Sequence, residues 1–153
     1  MTSDQQKRVL VVDDDVNIRN LIGSVLRQRG LLVDEAEDGA EAIRLLREYR
    51  YSVILLDLVM PGVDGFTVLD RIGGPEVPAP AVVLVMTGAE RRALLRLDAQ
   101  KIHGIVNKPF DAQELGDLVL ACAELRGRNF GAMAIATMIA GTPLLALLNR
   151  LTN

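Results

Sequence analysis

The run Tyr51-Ser-Val-Ile-Leu-Leu-Asp57 decides how this chain is read. Its four consecutive apolar residues, 53 to 56, do not suit a strand with one wet face, where apolar and polar side chains alternate. They suit a strand buried on both faces, as in the middle of a parallel sheet. Three further runs repeat the pattern. Val9-Leu-Val-Val12 leads into Asp13, Asp14 and Asp15, Ala81-Val-Val-Leu-Val-Met86 leads into Thr87, and Gly104-Ile-Val-Asn107 leads into Lys108-Pro109. Ligands of open α/β sheets bind outside the carboxyl ends of the strands. Carboxylates, a hydroxyl and an ammonium should therefore converge at one end of one sheet, which is the chemistry of a divalent metal and a phosphoryl group.

Between these runs the residues mark helices. Asp15 suits the cap of a helix over 16–29, with Val16, Leu21, Ile22, Val25 and Leu26 along one face, Arg27 and Arg29 at its carboxyl end, and Gly30 after it. A short strand over 31–36 precedes a second helix over 39–50, with Ala42, Ile43, Leu45 and Leu46 inward. Met60-Pro-Gly-Val-Asp-Gly65 is a loop by composition, and a helix over 66–72 follows it until Gly73-Gly74-Pro75. Pro75, Pro78 and Pro80 stiffen the approach to the fourth strand. A helix over 90–102 carries Arg91, Arg92 and Arg96 as a solvated face. Asp111 and Glu114 open the last helix, to residue 126, in the manner of a capping box. Five strand–helix units predict a three-layer, doubly wound parallel sheet with right-handed crossovers.

Composition narrows the function. With 50% hydrophobic and 24% charged residues the chain is globular. A net charge of −3 argues against a nucleic-acid surface, which calls for a basic patch. Cys122 is the one cysteine, so no internal disulfide can form, as fits a reducing compartment. Residues 1–7 are polar and show no secretory pattern, and a cytoplasmic location is expected. Cys122 sits on an apolar helix face and reads as core. His103 lies in a polar turn with no second His or Cys to make a zinc site, and reads as structural or solvated.

If the strand order is 2-1-3-4-5, strands one and three are neighbours at the switch point, and Asp13, Asp14 and Asp57 come within reach of one another. Like charges that close are stable mainly when a cation neutralises them. A donor set of oxygens alone points to Mg²⁺, which keeps several waters and takes one or two carboxylates plus phosphate. Lys108 offers a point charge to a phosphate oxygen and Thr87 a hydroxyl. A carboxylate so placed can be the nucleophile toward phosphorus, giving an acyl phosphate. Each residue also has a plainer reading. Asp15 suits a helix N-terminus favoured by the dipole, Thr87 the end of a strand, and Lys108 a solvated loop. Their joint placement favours the site.

These residues resemble the receiver domain of two-component response regulators over roughly residues 7 to 125. The resemblance rests on Asp13-Asp14, on Glu37-Asp-Gly39, on Asp57-Leu-Val-Met-Pro-Gly-Val-Asp-Gly65, on Thr87-Gly88 and on Lys108-Pro109-Phe110, in that order. It implies a flavodoxin-like sheet of order 2-1-3-4-5, with residues 1–126 as the receiver and 127–153 as an extension. It implies that Asp57 is the phosphoacceptor and that Asp14, Asp57 and the backbone carbonyl of Val59 ligate Mg²⁺, with Asp13 acting through water. Thr87 and Lys108 would sense the phosphoryl group, and Lys108-Pro109 would be a cis peptide. Two departures from the family pattern stand out. Ile105 stands where an aromatic switch is usual, and Val59 and Ala89 occupy positions that tune phosphoryl lifetime without a side chain able to orient water.

From Phe130 to Asn149 there is no charged residue. Gly141-Thr142-Pro143 divides this stretch, which reads as two short helices packed on a partner copy or on the domain. A homodimer through 130–151 is the first expectation. Its length approaches that of a membrane span, so anchoring ranks behind it. The function expected is a phosphorylation-controlled receiver, charged by a histidine kinase or phosphotransfer protein and read by a downstream protein, rather than an enzyme acting on other substrates. The enzymatic alternative is a Mg²⁺-dependent aspartate-nucleophile phosphatase. Such enzymes place a second Asp two residues after the nucleophile, where this chain has Val59.

Overall fold

A computed structural model describes residues 7–88 and 94–124, together with the backbone of 136–138. The elements are β1 (Arg8–Val12), α1 (Val16–Gln28), β2 (Leu32–Ala36), α2 (Gly39–Glu48), β3 (Val53–Asp57), α3 (Gly65–Arg71), β4 (Val82–Thr87), β5 (Gly104–Asn107), α4 (Ala112–Glu124) and β6 (Ala136–Met138). The sheet is parallel throughout, in the order β2-β1-β3-β4-β5-β6. Its first five strands take the expected order 2-1-3-4-5. The register sets Val12 opposite Leu56 and Thr87 opposite Asn107, so strands one, three, four and five end at a common edge.

The continuous apolar runs do what burial on two faces requires. Every residue of β3 and β4 is buried. Val9, Val11, Leu55, Leu84 and Met86 face α1 and α4, where Ile22, Leu26, Leu115 and Val119 meet them. Leu10, Ile54, Leu56, Val83 and Val85 face α2 and α3 on the other side, against Ile43, Leu46, Val68 and Leu69. Full burial of each such side chain contributes about 1.5–3 kcal/mol before chain entropy is subtracted. Cys122 lies in the first of these two cores, and burial pushes its thiol pKa up to about 11, so it stays an inert thiol.

An aspartate caps each of α1, α2, α3 and α4 by accepting amides of the first turn. Asp15 takes the amide of Asn17 at 2.9 Å, Asp38 that of Glu41 at 2.8 Å, Asp64 that of Thr67 at 3.0 Å and Asp111 that of Glu114 at 2.9 Å. Each bond satisfies a donor that the helix itself leaves open.

Two expectations are corrected. The helix foreseen over 90–102 does not reach 102. Leu94 is helical, but 95–102 run in turns, with the Leu97 amide on the Leu94 carbonyl and the Lys101 amide on the Asp98 carbonyl. The Asp98 side chain takes the Gln100 amide at 3.0 Å, a local bond that competes with the helical ladder. Ala89, Arg91 and Arg92 fall outside the described residues. Arg96 is exposed, as foreseen, with its guanidinium 4.2 Å from the centroid of the Phe66 ring.

The second correction concerns the extension. Where a helix was expected over 130–140, Ala136, Thr137 and Met138 pair in parallel with Gly104, Ile105 and Val106. β5 would otherwise present an open edge of N–H and C=O groups, and a short strand covers it. The β-branched Ile135 and Thr137 weaken the case for a helix there. The rest of the expected pair of helices, and with it residues 141–153, lies outside the described residues. Among the described residues no helix is long and apolar enough to cross a membrane.

Candidate functional site

β1 and β3 are neighbours where the sheet reverses direction of winding, so Asp13 and Asp57 emerge side by side at their ends. One oxygen from each of Asp13, Asp14 and Asp57 lies within 4.8 Å of the others. Asp13 has no exposed surface and Asp57 only 5%, while Asp14 is exposed on the rim. Lys108 leans in from the end of β5, its side chain 20% exposed, and donates to Asp13 Oδ2 at 2.6 Å and to Asp57 Oδ2 at 3.2 Å. Its amide donates to the Thr87 carbonyl at 2.9 Å, which ties the loop after β5 to the end of β4. Thr87 is 2% exposed. Lys108-Pro109 is cis, as the resemblance implied.

The remaining bonds hold the carboxylates in place. Asp13 Oδ1 accepts the Asp15 amide at 2.9 Å, and the Asp13 amide donates to the Ala36 carbonyl at 3.1 Å. Asp57 Oδ1 accepts the Val59 amide at 3.2 Å. Val59 itself is 62% exposed and brings no carboxylate to the site. Gly65 starts α3 against the end of β3, its amide on the Leu58 carbonyl at 3.1 Å, and a Cβ there would collide with the Asp57 carbonyl. Glycine is thus required for α3 to begin so close to the site.

The charges do not balance. Three carboxylates face one ammonium. Burial raises the pKa of Asp57 and the Asp13 charge adds to the rise, against the opposing pull of Lys108. For Lys108, burial acts to lower the pKa, but the hydrogen bond to Asp13 and the charges of Asp57 and Asp13 outweigh it and the net direction is upward. The ammonium therefore stays charged, and the residual negative charge suits a hard cation with oxygen ligands.

Asp13, Asp14, Asp57, Thr87 and Lys108 all stand at the carboxyl edge, as read from the sequence. Ile105 lies on β5 opposite Val85 and packs half-buried against the core on the α2 and α3 side, so an aliphatic side chain stands where the resemblance implies an aromatic. His103 is structural. Its amide donates to the Val83 carbonyl at 2.8 Å and its Nδ1 accepts the Val83 amide at 3.0 Å. One residue at the site was not foreseen. Arg19, in the first turns of α1, donates from Nη1 to the Asp13 carbonyl at 2.6 Å. The signal available was a cation close to a helix N-terminus, where the dipole disfavours it.

A doubly wound parallel sheet with an acid cluster and a lysine at its switch point defines a class of α/β domain. Comparison with known proteins narrows the class. The response regulator receiver domain family matches residues 9–120. The transcriptional regulatory protein ResD of Bacillus subtilis is 37% identical over 115 residues, covering 75% of this chain and 47% of that protein. The chemotaxis protein CheY of Halobacterium salinarum is 31% identical over 113 residues, covering 74% of this chain and 93% of that protein. The chain thus spans about half the length of ResD and nearly all of this CheY. Among solved structures, response regulator TrrA of Thermotoga maritima in complex with Mg²⁺–BeF superposes with a TM-score of 0.65 at 32% identity, covering 76% of this chain and 99% of that one. CheY4 of Vibrio cholerae gives a TM-score of 0.69 at 26% identity, covering 77% and 99%. The chain belongs to the response regulator receiver domain family, the signalling modules of two-component systems.

Proposed function

We propose that Asp57 accepts a phosphoryl group from a histidine kinase or a phosphotransfer protein, and that the charged form is read by a downstream protein. The observation that carries this reading is the placement of Asp57: 95% buried, 3.2 Å from the Lys108 ammonium, and grouped with Asp13 and Asp14. An Asp57 carboxylate oxygen attacks phosphorus, the bond to the donor's imidazole nitrogen breaks, and the nitrogen keeps that electron pair. The product is an acyl phosphate on Asp57. Lys108, already turned toward Asp57, pairs with a phosphoryl oxygen, and the Thr87 hydroxyl donates to another. Asp14, Asp57 and the Val59 carbonyl would hold Mg²⁺, with Asp13 acting through water, and the bound metal would supply positive charge against that which builds on the phosphoryl oxygens.

The family, the acid cluster and the Mg²⁺–BeF complex of the TrrA relative support the metal assignment. The phosphatase alternative has no observation in its favour, because Val59 stands where its second acid belongs. Incubation with Mg²⁺ and a small phosphodonor, followed by intact-mass measurement, tests the reading. One phosphoryl group should be gained, and Asp57→Asn should abolish the gain. Stoichiometric labelling that persists in Asp57→Asn would falsify the assignment.

Readout belongs to protein contact on this proposal, in the cytoplasm. Self-association through 130–151 rests on the apolar, uncharged composition of that stretch. Sedimentation of the full chain and of a chain ending at Arg128 tests it. A dimer that becomes a monomer on truncation supports the reading, and two monomers refute it.

A further inference from the structure

We infer that Arg19 is a positioning residue for the metal site, acting through the peptide plane between Asp13 and Asp14. This rests on the assignment of Mg²⁺ to the acid cluster and deepens it.

Asp14 is exposed and takes part in none of the side-chain hydrogen bonds of the described residues, so only its backbone aims its carboxylate. That backbone is fixed from both sides. On one side the Asp13 amide is held by the Ala36 carbonyl, and on the other the Asp15 amide is held by Asp13 Oδ1. The peptide between them remains, and its carbonyl belongs to Asp13. Arg19 Nη1 donates to that oxygen at 2.6 Å. A peptide is planar, so fixing the direction of this C=O fixes the Asp14 N–Cα bond and thereby the arc its side chain can reach.

The donor is itself braced. The Arg19 side chain is only 13% exposed, and its Nε lies 3.8 Å from Glu35 Oε1. The other oxygen of Glu35 meets Arg27 at 3.0 Å. The guanidinium thus runs from an anchor on β2 to a carbonyl of the metal loop. A charge-assisted bond to a carbonyl in this half-dry setting is among the stronger neutral–ionic contacts. Its location is otherwise unfavourable, since a cation near a helix N-terminus opposes the dipole. A local rule broken without a compensating gain is not expected of a stable element. Orientation of the metal loop supplies the gain.

Two opposed effects can be told apart by sign. If Arg19 only adds positive charge, removing it should tighten Mg²⁺ binding. If it orients Asp14, removing it should weaken binding. Residues that orient metal ligands are worth about 10-fold or more in metal affinity. Calorimetric titration of the full chain with Mg²⁺ alone, without phosphodonor, reads the difference. Arg19→Met, which keeps the length and apolar stem, should bind Mg²⁺ about 10-fold more weakly than wild type, and Arg19→Lys should recover part of the loss. Melting without metal reads structural damage separately and should move little in Arg19→Lys. Should Arg19→Met fail to fold, Glu35→Gln removes the anchor while leaving the donor, and should weaken binding by a smaller factor in the same direction. Unchanged or tighter binding in the variants, beside a wild type that binds and an Asp14→Asn that does not, overturns the role of Arg19 alone. A wild type that shows no Mg²⁺ binding overturns the site reading and this inference together.

Discussion

Two polar clusters at opposite ends of the strands obey opposite rules. Near the amino ends of β1 and β3, Asp34 accepts from Arg8 at 2.8 Å and from the Tyr51 hydroxyl at 2.6 Å, while the Arg8 guanidinium lies 4.2 Å from the centroid of Tyr49. Tyr49 and Tyr51 meet edge to face at 6.4 Å. One acid faces one cation and one hydroxyl, and the charges close. Burial first and the Asp34 bond second push the Tyr51 pKa well up, so the phenol remains a donor. At the carboxyl end, Asp13 and Asp57 share the ammonium of Lys108, and Asp14 adds a third carboxylate beside them. The first cluster is complete as it stands. The second carries more negative charge than its ammonium offsets, a surplus that a bound cation would relieve. The same side-chain types thus form a closed cluster at one end and an open one at the other, and what separates them is charge balance.

Metal should therefore act on one cluster alone. Mg²⁺ at about 100 times its dissociation constant should stabilise the native chain by about 2.7 kcal/mol, because it binds the folded state only. Asp14→Ala should lose most of that gain in a thermal melt. Asp34→Ala should keep it in full. A metal-induced shift of equal size in wild type and Asp14→Ala would break the contrast.

Without metal, the two ends should respond to neutralisation with opposite signs. Asp34→Ala strips the partner from Arg8 and from the Tyr51 hydroxyl and should cost about 2 kcal/mol, the scale of a hydrogen bond to a charged group. Phosphorylation of Asp57 should proceed in that variant at the wild-type extent. Asp57→Asn removes one of three crowded carboxylates and should raise metal-free stability by about 1 kcal/mol, as expected where a functional site carries strain. Chemical denaturation in a chelating buffer measures both. A loss of stability in Asp57→Asn would mean that the Lys108 pair outweighs the repulsion.

The parts legible in the sequence were those with a strong local cause. Consecutive apolar residues gave away β3 and β4 because burial on two faces leaves no position for a polar side chain. The aspartate caps were legible at Asp15 and Asp111 because capping is local. The strand ends then placed Asp13, Asp57, Thr87 and Lys108 once the strand order was assumed. The turns over 95–102 were missed because local bonds such as that of the Gln100 amide to the Asp98 side chain compete with the helical ladder and leave no mark in an apolar pattern. β6 was missed because its pairing with β5 is a tertiary contact across a long crossover, whereas the tail was read from composition alone. Arg19 was missed because its role depends on where the Asp13 carbonyl points, which no spacing reveals.

His103 supplies the smallest and most local test, at the opposite end of β5 from Lys108. Its Nδ1 accepts the Val83 amide at 3.0 Å, which an imidazole can do only when that nitrogen carries no proton. Burial lowers its pKa below the ordinary value of 6.5. The unfolded chain then takes up a proton at a higher pH than the folded one. The contribution to stability is full above pH 6.5 and is lost as pH falls from there through the lower folded value. The loss should be no more than about 1 kcal/mol, the net worth of one hydrogen bond. Other groups titrate in the same range, so the informative quantity is the difference between wild type and His103→Gln. Denaturation at pH 7.5 and at pH 5 should show the gap between the two proteins narrowing toward the acid side. A gap that stays constant or widens would mean that His103 holds β5 to β4 in either protonation state, and that the neutral imidazole is not what anchors this end of the sheet.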